Sequence, residues 1–180
     1  MGYDAMGPGL AGATKEMVMS YSLDAFEYRD FSELEPGTVF ADERGRWYMA
    51  ARLLGRNETM ALRLDSGEHD NGIGDLIANV SERVFAVAKP YGTSIYVDDL
   101  FDLRRSTSGP FPGCIMLASP LAIFGFGHER RMIGLNGYEI DEGSVHRERA
   151  RYLKWSVWLV DADRKKVGDS PLVSIDASQQ

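Results

Sequence analysis

The stretch that decides the fold runs from Thr38 to Leu64, TVFADERGRWYMAARLLGRNETMALRL. It contains three short runs, Thr38-Val39-Phe40, Arg46 to Ala51 and Thr59 to Leu64, rich in aromatic, β-branched and apolar residues. Arg44-Gly45 separates the first two and Gly55-Arg56-Asn57 the last two, so the segment reads as an antiparallel meander. Side chains that alternate with a period of two belong to strands and not to a helix.

Upstream, the pattern changes. Leu23, Phe26, Phe31 and Leu34 suit one ragged face of a short helix, with Asp24 as N-cap, Glu27 as its capping partner and an end near Glu33. Pro36-Gly37 then stops the helix and turns the chain. Residues 1–20, MGYDAMGPGLAGATKEMVMS, form a Gly-rich lead that reads as an extended, flexible or partner-ordered arm. The expected organisation is therefore an arm at 1–20 and one domain at 21–180.

Downstream, residues 65–75 (DSGEHDNGIGD) form a long polar loop, and Leu76 to Ser81 is ambiguous, with a helical turn as the reading. Val84–Ala88 and Thr93–Val97 flank Pro90-Tyr91-Gly92 and are expected to pair as a hairpin. Asp99 to Arg105 suits a helical turn, and Ser106 to Gly113 a rigid loop. Ile115–Leu117 and Leu121–Phe126 are strand-like, with Pro120 between them. Arg131–Leu135 and Tyr138–Ile140 flank Asn136-Gly137, a dipeptide in which both residues tolerate positive φ. Tyr152–Val160 is the richest aromatic and β-branched run, Ala162-Asp163-Arg164 a turn and Leu172–Ile175 a last strand. Short runs at this spacing predict a mainly β fold: a single β-sandwich or β-barrel of short antiparallel strands with one or two short helices.

Composition agrees with a packed domain. The 180 residues are 44% hydrophobic and 26% charged, and the single cysteine, Cys114, permits no internal disulfide. Cys114 is expected as a small buried core residue. No apolar run approaches the ~18 residues of a membrane helix, and no secretory h-region is visible. A cytoplasmic or virion location and no membrane association are the corresponding expectations.

Several motif-like strings fail on context. Gly7-Pro8-Gly9-Leu10-Ala11-Gly12 has the letters of the dinucleotide fingerprint but lacks a preceding buried strand. His128-Glu129 opens like a zinc-protease helix, but Met132 stands where the second histidine is needed. Arg52-Leu53-Leu54-Gly55-Arg56 and Asn79-Val80-Ser81-Glu82-Arg83-Val84 faintly resemble the two signature pieces of cyclic-dinucleotide-binding PilZ barrels. Val84 replaces the final glycine of that pattern and Arg52 sits at a strand end, so the chain is not assigned to that family. No cofactor is expected.

Two candidate sites remain. Asp65, Glu68, His69 and Asp70 gather hard oxygen ligands and one imidazole in a single loop, a set suited to a divalent cation. Arg130, Arg131, Arg147, Arg149, Arg151 and Lys154 form a basic region. Arg147, Arg149 and Arg151 alternate, so a strand would place them on one face, as a nucleic-acid stripe requires. The overall charge of −7 argues against a polyanion partner.

That charge is uneven. Residues 1–43 hold nine acids against Lys15 and Arg29, a net of −7, and the rest of the chain is neutral overall. Residues 130–166 hold nine bases against six acids. An acidic N-terminal segment with a basic C-terminal region suggests contact with a protein partner or a second copy. The leading expectation is a non-catalytic protein-binding or structural module in a larger assembly, such as a virion or mobile-element component. The alternatives are a small-ligand or metal-dependent β-barrel enzyme using loop 65–75, and a nucleic-acid binder using the 147–154 stripe.

Overall fold

In the computed structural model every ladder between described strands is antiparallel, and one isolated bridge, Arg52 with Tyr138, is parallel. The structure describes residues 21, 23–65, 72–78, 80–98, 113–116, 122–126, 130–141 and 151–177. The expected arm at 1–20 and the readings at 99–112 lie outside these residues. Among the described residues thirteen strands follow in order: β1 Phe26–Asp30, β2 Val39–Ala41, β3 Trp47–Arg52, β4 Thr59–Arg63, β5 Leu76–Ile77, β6 Arg83–Val87, β7 Gly92–Val97, β8 Ile115–Met116, β9 Ala122–Phe126, β10 Arg130–Gly134, β11 Arg151–Tyr152, β12 Lys154–Val160 and β13 Val173–Asp176. They form a six-stranded sheet β1-β6-β2-β3-β4-β5, a four-stranded sheet β10-β9-β8-β11 and a three-stranded sheet β13-β12-β7. Among the described residues no sheet closes on itself, so of the two expected architectures the sandwich is the observed one.

The meander at β2, β3 and β4 forms as its alternation dictates. Val39, Met49, Ala51, Met60 and Leu62 point into the main core, where they meet Ile115 and Ile133 of the second sheet and Trp155, Val157, Leu159, Val173 and Ile175 of the third. Trp155 is fully buried, and its indole N–H donates to the Gly113 carbonyl at 2.8 Å. The intervening residues Phe40, Tyr48, Ala50 and Ala61 face the opposite side, where Phe31, Leu34, Val84 and Ala86 complete a second, smaller cluster. The six-stranded sheet is thus buried on both faces near its centre. Cys114 is buried beside the first core, as expected.

Three expectations are corrected. The helix read over Asp24–Glu33 is replaced by single 3-10 turns at Leu23–Ala25 and Phe31–Glu33 with strand β1 between them. Pairing with β6, which sets Phe26 opposite Val87 and Tyr28 opposite Phe85, overrides the local helical spacing. Leu76–Ile77 is a strand and not a helical turn, because it completes the sheet edge beside β4. The two runs around Pro90-Tyr91-Gly92 do not pair: β6 lies in the six-stranded sheet and β7 beside β12, so this turn carries the chain across the sandwich.

The Asn136-Gly137 turn also differs in detail. Gly134 accepts from the Gly137 N–H at 2.8 Å and donates to Tyr138 at 2.8 Å, so the loop has three residues, with Gly137 alone at positive φ. This loop docks on the six-stranded sheet. Arg52 N–H donates to Gly137 O at 2.8 Å and Glu139 N–H to Arg52 O at 3.0 Å. A Cβ on Gly137 would collide with the backbone of Gly37 and Ala50, so the close approach requires glycine.

Candidate functional site: the β1 edge and its groove

Strand β1 ends the six-stranded sheet, and no described strand lies beyond it. The phase of its hydrogen bonds follows from its two ends. Ala88 N–H donates to Ala25 O, and Phe31 N–H donates to Glu82 O, both at 2.9 Å. Ala25, Glu27, Arg29 and Phe31 therefore turn their backbone groups toward β6, and Phe26, Tyr28 and Asp30 turn theirs outward.

Side chains alternate perpendicular to that edge. Phe26 is anchored against Tyr21 and Trp47, with ring centroids 6.0 Å away in each case. Tyr28 meets Phe85 edge-on at 4.2 Å, and both rings are about two-fifths exposed, at 42% and 41%. The Arg83 guanidinium lies 4.8 Å over the Tyr28 ring and 3.7 Å from Asp30. An aromatic pair held open to water beside backbone groups with no strand partner among the described residues is an arrangement suited to recognition.

On the other side of β1 is an open groove of about 1130 Å³. Glu27 and Arg29, 3.7 Å apart, stand on its β1 wall. Lys89, Tyr91 and Tyr138 line it elsewhere, and Arg52 projects from the end of β3. The Arg52 Nε is buried without a hydrogen-bond partner. Its backbone is pinned by the docked 135–137 loop, so the side chain is delivered to the groove from a fixed base.

A third polar group lies further along the sheet. Asp42, 2% exposed, accepts from the backbone N–H groups of Arg44 and Arg46 and from the Arg46 side chain. Burial alone would raise its pKa, but the hydrogen bonds from Arg46 and Arg44 hold it below the ordinary value. Asp75 behaves oppositely: burial pushes its pKa up against the pull of Arg63.

The candidate residues read from sequence are distributed differently. Asp65 accepts from the Trp47 N–H at 2.8 Å and from Arg63 Nε at 3.0 Å, joining two neighbouring strands. Glu68, His69 and Asp70 lie outside the described residues. Among the described residues, no three His, Cys, Asp or Glu side chains gather in a way that would hold a metal ion. Of the basic set, Arg131 pairs with Glu139 at 2.6 Å and the exposed Lys154 with Asp176 at 3.4 Å. Arg130 is in β10 opposite Phe126, and Arg151 is in β11 opposite Met116. Arg147 and Arg149 lie outside the described residues. The basic residues therefore come from at least two sheets.

Tyr28, Phe85 and Arg83 were not singled out by sequence reasoning. The signal is present in Phe26-Glu27-Tyr28-Arg29-Asp30, whose strict alternation is strand-like, but the three-residue spacing of Leu23 to Phe26 and of Phe31 to Leu34 on either side favours a helix. Among the described residues, no helix is long and apolar enough to cross a membrane. No protein-family model matches the chain, and no curated protein or solved structure is detectably similar to it.

Proposed function

We propose that this chain is a non-catalytic protein-binding module that works within an assembly, and that its contact is made by the β1 edge. The occupant is an extended protein segment with alternating apolar and charged side chains, added as a further strand. The supporting observation is the row of outward backbone groups at Phe26, Tyr28 and Asp30 beside the exposed Tyr28–Phe85 pair. Strand addition takes its affinity from main-chain hydrogen bonds and its specificity from alternate side chains.

The test is a library of displayed extended peptides selected on the full chain. Captured peptides should protect the Tyr28 amide from hydrogen exchange and should be lost on Tyr28→Pro, since that N–H is not used by β6. Peptides that bind the wild type and Tyr28→Pro equally, or no capture at all together with a strictly monomeric chain, would end this reading.

A second reading rests on Arg52. A half-buried guanidinium whose Nε lacks a partner suits an anionic small ligand bearing a carboxylate or phosphate. It places ligand binding in the groove and not in loop 65–75. At low salt, inorganic phosphate or citrate should shift the Arg52 Nε–H resonance saturably. A resonance unmoved at millimolar anion would dispose of it.

A further inference from the structure

We infer that the segment added at the β1 edge is β1 of a second copy, paired antiparallel about a two-fold axis through Tyr28. This rests on the β1-edge reading above and names its occupant. The first support is the hydrogen-bond phase. In an antiparallel self-pairing centred on Tyr28, Tyr28 faces Tyr28 of the second copy and Phe26 faces its Asp30. These residues are the ones whose N–H and C=O groups point outward, so every available edge group meets a complementary one. A centre at Glu27 or Arg29 would also bring outward groups together, but it would set Glu27 opposite Glu27 or Arg29 opposite Arg29, like charges in the closer, non-hydrogen-bonded pair.

Charge is the second support. In the same register, Glu27 of each copy lies directly opposite Arg29 of the other. Both sit on the groove face of the strand, in the closer, non-hydrogen-bonded pairs. The intrachain Glu27–Arg29 contact at 3.7 Å is loose, so each group retains capacity for a second partner. Asp30, which would face Phe26 of the other copy, is balanced by Arg83 of its own chain. The sequence Phe26-Glu27-Tyr28-Arg29-Asp30 is therefore charge-complementary to itself when reversed.

The third support is the edge itself. It carries no proline or lysine to block addition, and its exposed Tyr28–Phe85 pair becomes covered when two such pairs meet across the axis. A closed two-fold contact of this kind joins the two six-stranded sheets edge to edge. The five-residue edge buries less than the ~1,200 Å² of a stable complex, so the pair is weak and concentration-dependent.

Sedimentation equilibrium of the full chain at low salt tests this. The wild type should pass from monomer to dimer as concentration rises toward millimolar. Glu27→Arg sets like charges opposite one another and should weaken the dimer about tenfold or more. Arg29→Glu should do the same. The double variant Glu27→Arg with Arg29→Glu restores opposite charges in the same register and should recover most of the wild-type affinity. Both positions flank exposed solvent, and unchanged thermal melting confirms that the variants fold. A wild type that stays monomeric to millimolar concentration, or a dimer indifferent to either single swap, would overturn the pairing. Peptide capture through Tyr28 by a strictly monomeric chain would end the self-pairing and keep the broader reading.

Discussion

The Asp42 carboxylate and the Arg46 guanidinium form a two-point contact, with Arg46 Nε 2.7 Å and Nη2 2.6 Å from Asp42 Oδ2. The other carboxylate oxygen takes the backbone N–H groups of Arg44 and Arg46, closing the turn between β2 and β3. Asp42 is fully buried at its side chain and Arg46 is about one-third exposed, so the acid depends on the base more than the reverse. Asp42→Ala should lower stability by about 2–3 kcal/mol in urea denaturation, chiefly by leaving turn N–H groups and Tyr48 without their acceptor.

The same contact sets an acid limb. The folded pKa of Asp42 lies below its unfolded value of 3.8. Its contribution is therefore present above the unfolded pKa and is lost as pH falls through the folded one. Stability measured downward from about pH 5 should decline in the wild type, and Asp42→Asn should flatten that decline. An unchanged acid slope in the variant would show that other carboxylates carry it.

Tyr48 sets a corresponding alkaline limb. Its hydroxyl donates to Asp42 Oδ2 at 3.3 Å, and burial, reinforced by the Asp42 charge, pushes its pKa from 10.0 up to about 12. Because the folded value is the higher one, the contribution is intact below pH 10 and is lost as pH rises through about 12. Tyr48→Phe should cost about 1 kcal/mol at neutral pH and remove part of the alkaline slope. Ultraviolet titration should lose its late phenolate phase in that variant, and a full late phase in Tyr48→Phe would assign it elsewhere.

Sequence made the meander legible because every clue there is local: alternation within β2, β3 and β4, and glycines at the turns. The β1 region misled because Phe26, Phe31 and Leu34 have helical spacing, yet they serve different clusters. Phe26 packs into the inter-sheet core, whereas Phe31 and Leu34 cover the opposite face of the six-stranded sheet. Which face a residue serves is decided by distant partners such as Val87 and Phe40. The site was hidden for the same reason. An open strand edge and the orphaned Arg52 Nε are properties of what is not adjacent in space, and no local pattern encodes them.

Gly137 links the hairpin loop to that site. Its φ of +79° and the Gly37 and Ala50 backbone against it leave no room for a side chain. Gly137→Ala should lower stability by about 2–4 kcal/mol and break the bond to the Arg52 N–H. Hydrogen exchange at Arg52 should accelerate by more than the global loss explains. A variant of wild-type stability would mean that the loop re-docks without cost.

Arg164 occupies the position that glycine holds in two other turns of this chain. In each, the first residue's carbonyl accepts from the fourth residue's N–H, and its own N–H donates to the fifth residue: Asp42 with Gly45 and Arg46, Gly134 with Gly137 and Tyr138, and Asp161 with Arg164 and Lys165. Gly45 and Gly137 have φ of +74° and +79°, and Arg164 has φ of +60°. An L-residue there stores about 1–2 kcal/mol of backbone strain. Asp161 offsets it by accepting from the Asp163 and Lys165 N–H groups at 2.9 and 2.8 Å, the same bracing that Asp42 gives its turn. Arg164→Gly keeps those bonds and removes the strain, less the extra chain entropy of glycine when unfolded, for a net gain of about 0.5 kcal/mol. Arg164→Val adds a β-branch to a left-handed backbone and should cost about 1–2 kcal/mol. Urea midpoints should therefore rank glycine above arginine above valine, and equal midpoints for the glycine and valine variants would show that this turn holds no strain.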